Sequence, residues 1–364
     1  MDTPDTLEDW LRVLVSRGAA DMFLVSGFAP AIRLNGVVTP LPEPSVAGED
    51  IEAAVLPILH PQALERYRTA GSADISLRRA GVGRFRINLH RERGRAAATI
   101  RALPASPPLL ADLGLPSQVE QITRLHHGLV LVGGATGSGK TTTVAALVNE
   151  INRRDAKHIV TIEDPIEYEH AHQKSVVEQV EIGVDAPDFP TALRAALRQA
   201  PDVIVIGEMR DPETMKIALT AGETGHLVFS TLHTTDVTST VARVADSFPP
   251  ERQPTIRQDL SMALGAVLTQ ALLPRVGGGR VPAAELLMIG YGARQHIRKN
   301  ALQHLHQEIT ITKRSGSITF EEALAHLVHN GLITADDART HTGHAEELEG
   351  LLRPSSIVDR RSSP

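Results

Sequence analysis

Cysteine is absent from the 364 residues. Disulfides and thiolate zinc sites are therefore excluded, and a reducing cytoplasm is the expected home. Aromatic residues make up only 3% of the chain against 42% hydrophobic residues overall, so its cores have to be built from Ala, Val, Leu and Ile. No run of Lys and Arg occurs, and 37 basic against 43 acidic side chains leave a formal charge of -6. A protein that tracks nucleic-acid phosphates needs a basic surface to displace counterions, so no nucleic-acid partner is expected. No stretch of 18 apolar residues exists, and the first thirty residues lack a basic start followed by a long apolar core. Neither a membrane span nor a signal peptide is expected, and any membrane role has to go through a partner.

What is present divides into two grammars. The first hundred or so residues read as a small α/β domain. Thr6 caps a helix in which Leu7, Trp10, Leu11, Leu14 and Val15 recur at helical spacing. Strands are expected at Asp21 to Val25 and Ile32 to Leu34, with a hairpin signal at Asn35-Gly36. A helix is expected over 49–70, then strands around Asp74 to Leu77, Gly83 to Leu89 and Ala96 to Ala102. Leu103 to Pro116 holds four prolines and reads as a linker. Beyond it, apolar runs at Leu129 to Val132, Ile159 to Ile162, Val203 to Ile206 and Leu227 to Leu232 alternate with helical segments, the pattern of a buried parallel sheet. After about Ala293 the chain reads as helical, with a capping box at Thr319-x-x-Glu322. The expected boundaries are 1–103, a linker 104–116, an α/β core 117–292, a helical appendage 293–353 and a disordered tail 354–364.

The strongest chemical signal is Gly134-Ala135-Thr136-Gly137-Ser138-Gly139-Lys140-Thr141, directly after an apolar strand and before a helical pattern. Glycines in such a loop let backbone N–H groups turn inward around phosphate oxygens, and the helix N-terminus adds a favourable dipole. Lys140 then reaches the β and γ phosphates, and the Thr141 hydroxyl, followed by Thr142, is placed to ligate magnesium. The expected ligands are ATP and Mg2+.

Hydrolysis also needs carboxylates near the water and the magnesium, and cations for the developing phosphate charge. Two acidic clusters end apolar strands, where open α/β sheets bind ligands: Ile162-Glu163-Asp164-Pro165 and Ile206-Gly207-Glu208-Met209-Arg210-Asp211. Such residues are also common in ordinary α/β domains; beside a phosphate loop the functional reading is preferred. His226 and His233 bracket the run Leu227 to Leu232 and are either packed core groups or part of the site. No zinc site is expected, since His170-x-His172 lacks a third ligand and no H-E-x-x-H occurs.

In this order the four blocks resemble the secretion ATPase superfamily of type II secretion and type IV pili. Glu163 to Glu167 resembles its acidic box, Glu208 to Asp211 its unusual Walker B ending, and His226 and His233 its histidine box. Asp21-Met22-Phe23-Leu24, Pro30-Ala31-Ile32-Arg33, Phe248-Pro249-Pro250 and Leu272 to Gly279 resemble further blocks of the pilus retraction branch. That branch also carries A-I-R-N-L-I-R-E near its C-terminus; here the stretch reads Gly292-Ala293-Arg294-Gln295-His296-Ile297-Arg298-Lys299, keeping both arginines and one isoleucine. Relatives in assembly and type II secretion usually carry a four-cysteine zinc module, which this chain lacks.

The resemblance implies an α/β protein with a PAS-like N-terminal domain and a RecA-like P-loop ATPase domain bearing a helical C-terminal appendage. It implies a homohexamer that binds ATP between the two domains and powers pilus retraction. Another assembly or secretion ATPase, and an accessory retraction paralogue, are the alternatives. Implied partners are an inner-membrane platform protein and a paralogous pilus ATPase, with the motor cytoplasmic and peripheral at that membrane. By the same resemblance Glu163 orients the attacking water, Glu208 joins Thr141 at magnesium, and His226 and His233 relay nucleotide state. Arg93 and Arg101 match the arginines that approach the γ-phosphate; read without the resemblance, they are a solvated basic strand face.

Overall fold

A computed structural model describes residues 6–34 and 36–353. Asn35 of the expected hairpin signal and the tail 354–364 lie outside the described residues. The chain divides into two units, one made of residues 1–107, 162–170 and 179–192, the other of 108–161, 171–178 and 193–364.

In the first unit α1 (Thr6–Ser16) buries Leu7, Trp10, Leu11 and Leu14 of the stripe its spacing predicts, while Val15 of that stripe is exposed. The strands β1 (Asp21–Val25), β2 (Ala31–Leu34), β3 (Val37–Pro40), β4 (Ser72–Arg79), β5 (Gly83–Glu92) and β6 (Arg95–Leu103) form one sheet in the order β3-β2-β1-β6-β5-β4. Every pairing described in it is antiparallel. Alternation puts Phe85, Ile87 and Leu89 on the buried face of β5 with Met22, Leu24 and Ile100, against Leu11, Ile51, Val55 and Tyr67. The helix expected over 49–70 is two helices, α2 (Gly48–Val55) and α3 (Pro61–Ala70). Pro57 and Pro61 lack the N–H that a continuous helix needs, and Pro61 instead sits in the first turn of α3.

The seven-stranded sheet runs β13-β12-β7-β11-β10-β8-β9. Its strands are β7 (Gly128–Gly133), β8 (His158–Glu163), β9 (Val176–Glu181), β10 (Val203–Ile206), β11 (Leu227–Leu232), β12 (Leu264–Pro274) and β13 (Arg280–Met288). β10, β11, β7 and β12 are parallel neighbours, and all residues of β7, β10 and β11 are buried. Both faces of these strands are covered, as their uninterrupted apolar runs require. β12 and β13 close the sheet as an antiparallel hairpin not foreseen from the sequence.

Around the sheet come α4 (Lys140–Arg154), α5 (Phe189–Ala196), α6 (Pro212–Glu223), α7 (Val237–Asp246) and α8 (Gln253–Ala263). The C-terminal helices are α9 (Tyr291–Arg298), α10 (Leu305–Ile311), α11 (Phe320–His329), α12 (Ala335–His341) and α13 (Ala345–Leu352). Thr319 and Glu322 cap α11 reciprocally, as their spacing predicts. Among the described residues no helix is long and apolar enough to cross a membrane.

Candidate nucleotide-binding site

The loop between β7 and α4 is shaped by glycines, of which Gly134 leaves no room for a side chain. At Gly134, with φ +151°, a Cβ would stand 2.3 Å from Ser138 Oγ and 2.6 Å from the Gln270 carbonyl oxygen. Gly137 and Gly139 take φ of 79° and 90°, the left-handed region that favours glycine. Ala135, Thr136 and Gly137 are exposed at the turn, while Lys140 is only 8% exposed. The Lys140 Nζ donates to the carbonyl oxygens of Gly134 at 2.8 Å and Ala135 at 3.0 Å. Burial pushes the Lys140 pKa down, and the Glu208 charge opposes that. Ser138 Oγ is buried without a hydrogen-bond partner. A buried orphan hydroxyl inside a ring of glycines, at the N-terminus of a fifteen-residue helix, fits the phosphates of a nucleotide. Thr141 is exposed and Thr142 half-buried on the first turn of α4.

Glu208 leaves the end of β10 half-buried and paired with Arg210, and its Oε2 lies 3.5 Å from His233 Nε2. Thr231 Oγ1 donates to the Gly207 carbonyl oxygen at 2.6 Å, tying the ends of β10 and β11 together. His233 thus stands at the same end of β11 as the carboxylate. His226 precedes that strand, so six strand residues, roughly 20 Å at about 3.3 Å each, separate the two histidines. Its Nδ1 lies 3.1 Å from the Ala221 carbonyl oxygen near the end of α6. The structure therefore brings His233, but not His226, to Glu208. Asp211 is the N-cap of α6, accepting from Thr214 N at 2.8 Å, which accounts for an acidic residue there on structural grounds.

Within the first unit, Glu163 Oε1 accepts from Gln179 Nε2 at 3.2 Å and Oε2 from Glu167 N at 3.4 Å. The segment that follows is pinned by Arg84, a buried guanidinium that donates to the carbonyl oxygens of Ile166 at 2.8 Å and Glu167 at 3.0 Å and pairs with Glu169. Arg93 and Gly94 form the two-residue turn between β5 and β6, both with positive φ. The Arg93 side chain is 90% exposed and touches Glu92 at 3.1 Å. Arg101 is held differently: its Nε donates to Asp21 Oδ1 at 2.8 Å, and Arg33 takes the other oxygen at 3.0 Å.

The altered C-terminal motif occupies α9. Arg294 donates to the carbonyl oxygens of Ser261 and Met262 at the end of α8, and Ala293 and Ile297 are fully buried. A Cβ at Gly292 would meet the carboxylate of Glu308, the movable end of a long side chain.

Sequence reasoning missed the second layer. Gln270 Nε2 donates to the Ser138 carbonyl oxygen at 2.6 Å and holds the phosphate loop from a strand 132 residues away. Its signal was available as the polar pair Thr269-Gln270 interrupting the apolar run of β12. Gln179, which positions Glu163, carries no comparable mark.

Comparison with known proteins agrees with this geometry. The family described as type II/IV secretion system protein matches residues 98–333. The type IV pilus retraction ATPase PilT of Pseudomonas aeruginosa is 38% identical over 333 residues, covering 92% of this chain and 97% of its own. The type IV pilus ATPase PilU of the same organism is 35% identical, covering 97% of this chain and 92% of its own. The crystal structure of the pilus retraction motor PilT with bound ADP superposes with a TM-score of 0.86 at 42% identity, covering 95% of this chain and 99% of that one. A likeness of that breadth, running through the phosphate loop and the Glu208 carboxylate, makes the chain a secretion ATPase, a member of the type II/IV secretion system protein family.

Proposed function

We propose that this chain is the hexameric ATP-hydrolysing motor of type IV pilus retraction, the process behind twitching motility. The observation that carries the reading is the near full-length likeness to PilT. In this reading Lys140 and the loop amides from Gly134 to Thr142 grip the phosphates. Thr141 and Glu208 hold magnesium, which when bound neutralises charge on the β and γ phosphates. Glu163 orients the attacking water, with Gln179 and Glu167 N fixing its carboxylate. Arg93 and Arg101 offset the charge of the transition state, and His226 and His233 relay nucleotide state. The ring works against an inner-membrane platform protein on the cytoplasmic side and does not act on nucleic acid.

A second reading, an accessory retraction ATPase that works beside a paralogous pilus motor, is supported by the likeness to PilU and by the altered motif of α9. Deleting the gene tests the first reading. Retraction loss leaves surplus surface pili on immobile cells, whereas bald cells would assign the chain to assembly. Steady-state turnover of the purified protein separates a motor from a weakly hydrolysing accessory.

A further inference from the structure

Beside a cavity that the phosphate loop also lines, three carboxylates and one imidazole converge where the C-terminal helices meet β13. His306 comes from α10, Glu321 from α11, Glu347 from α13 and Glu285 from β13. One ligand atom each of His306, Glu321 and Glu347 lie within 4.8 Å of one another. His306 Nε2 is 2.8 Å from Glu347 Oε2, and its Nδ1 is 3.9 Å from Glu285 Oε1. Glu285 is itself anchored, its Oε2 accepting from Val237 N at 3.0 Å and Thr269 Oγ1 at 3.3 Å.

The second observation is Glu321. This residue is 1% exposed. Its Oε1 accepts from Thr342 Oγ1 at 2.8 Å and His344 N at 3.2 Å. Its Oε2 is buried with no hydrogen-bond partner. A buried carboxylate oxygen without a donor is costly, and the cost is removed by a cation. Glu285, Glu321 and His344 also line a cavity of about 560 Å3, which Ala135 to Ser138 of the phosphate loop line as well.

We infer that His306, Glu321 and Glu347 form a divalent transition-metal site, of which Zn2+ is the representative ion. An imidazole nitrogen with two carboxylates suits zinc better than magnesium or calcium, which take oxygen donors. Zinc bonds of ~2.0–2.2 Å set tetrahedral ligand atoms about 3.4 Å apart, so the 2.8 Å His306–Glu347 pair has to open and any wider pair in the cluster has to close. Glu285, facing Nδ1, orients the ring as the carboxylate partners of metal-bound histidines do. The ion would fasten three helices of the C-terminal region to one another and, through Glu285, to the sheet. The expectation of no zinc rested on histidines close in sequence; these ligands are assembled by the fold from residues 306, 321 and 347.

The test uses the full chain, stripped with chelator and titrated with Zn2+ alone, and then with Co2+ as a spectroscopic substitute. The expected result is saturable binding of one ion per chain, visible Co2+ absorption showing nitrogen ligation, and a higher melting temperature with metal. His306→Gln and Glu321→Gln each weaken binding by at least about tenfold, while Glu208→Gln and His170→Gln keep one ion per chain. Glu285→Gln lowers affinity without changing stoichiometry. Absence of saturable binding by the wild-type chain, or binding unchanged in His306→Gln and Glu321→Gln, overturns the site and leaves the cluster as an imidazolium held by carboxylates.

Discussion

His233 Nε2 stands 3.5 Å from Glu208 Oε2, and the same carboxylate is paired with Arg210. Two cationic or potentially cationic side chains thus neighbour the acid that the account assigns to magnesium, so the ion has to compete with them for the carboxylate. Glu208→Gln is expected to bind ATP with little gain on adding magnesium, where the wild type gains strongly. Calorimetric titration with and without the ion checks this, and equal magnesium dependence in the two proteins refutes the assignment.

Glu163 is fixed at both oxygens, by Gln179 Nε2 and by Glu167 N. Glu163→Gln keeps the volume but lowers the power to orient and deprotonate water. Its turnover is expected to fall by roughly 10² to 10⁴, the range for a lost base, with nucleotide and magnesium binding kept. If Glu163→Gln loses magnesium dependence and Glu208→Gln loses only turnover, the roles of the two acids are exchanged.

Arg93 and Arg101 differ in what they hold. Arg93 projects from a turn and touches only Glu92 among its described partners, so Arg93→Ala leaves the fold intact. Arg101→Ala strips one of two guanidinium partners from the buried Asp21 and costs about 1.5–3 kcal/mol, the range for a hydrogen bond to a charged group. For catalysis the order reverses. Arg93→Ala is expected to bind ATP within about threefold of wild type while turnover falls at least about a hundredfold, and Arg101→Ala loses less. Lysine at 93 restores little, since an ammonium lacks the planar fork. Turnover and affinity measured together decide it; near-normal hydrolysis by Arg93→Ala leaves both arginines as a solvated strand face.

Burial pushes His170 down to about 4 from the ordinary 6.5. A base whose native pKa lies below its unfolded one contributes stability in full above the unfolded value and loses it as pH falls through the native value. Between pH 6.5 and 4 the unfolded chain takes up a proton at this site that the native chain refuses. The wild type is therefore expected to lose more stability over that interval than His170→Gln. Denaturant unfolding at the two pH values measures the difference, and parallel losses contradict a buried neutral imidazole.

The phosphate loop was legible because its chemistry is local: strand, glycines, lysine and helix follow one another in eleven or so residues, a spacing that the backbone itself imposes. The strands from Leu129 to Leu232 were legible for a related reason, since burial on both faces leaves them uniformly apolar. The split of the 49–70 helix is legible in Pro57 and Pro61, which the expectation of one continuous helix did not take into account. β3 was missed because its side chains are exposed, and β9 because Glu178, Gln179 and Glu181 break the apolar pattern that marks a strand. Gln270 against Ser138, Gln179 against Glu163 and the meeting of His306 with Glu321 and Glu347 are long-range or cross-element contacts. Residue spacing does not encode such contacts; topology does.

Lys140 gives the most direct test, because it is the one cation of the loop and the proposed function makes it the grip on the β and γ phosphates. The measurement is the retraction of individual fluorescently labelled pili on cells whose only copy of the gene carries Lys140→Ala. The account predicts pili that extend normally, fail to retract and accumulate. Retraction at the wild-type frequency, or cells without pili, would contradict it.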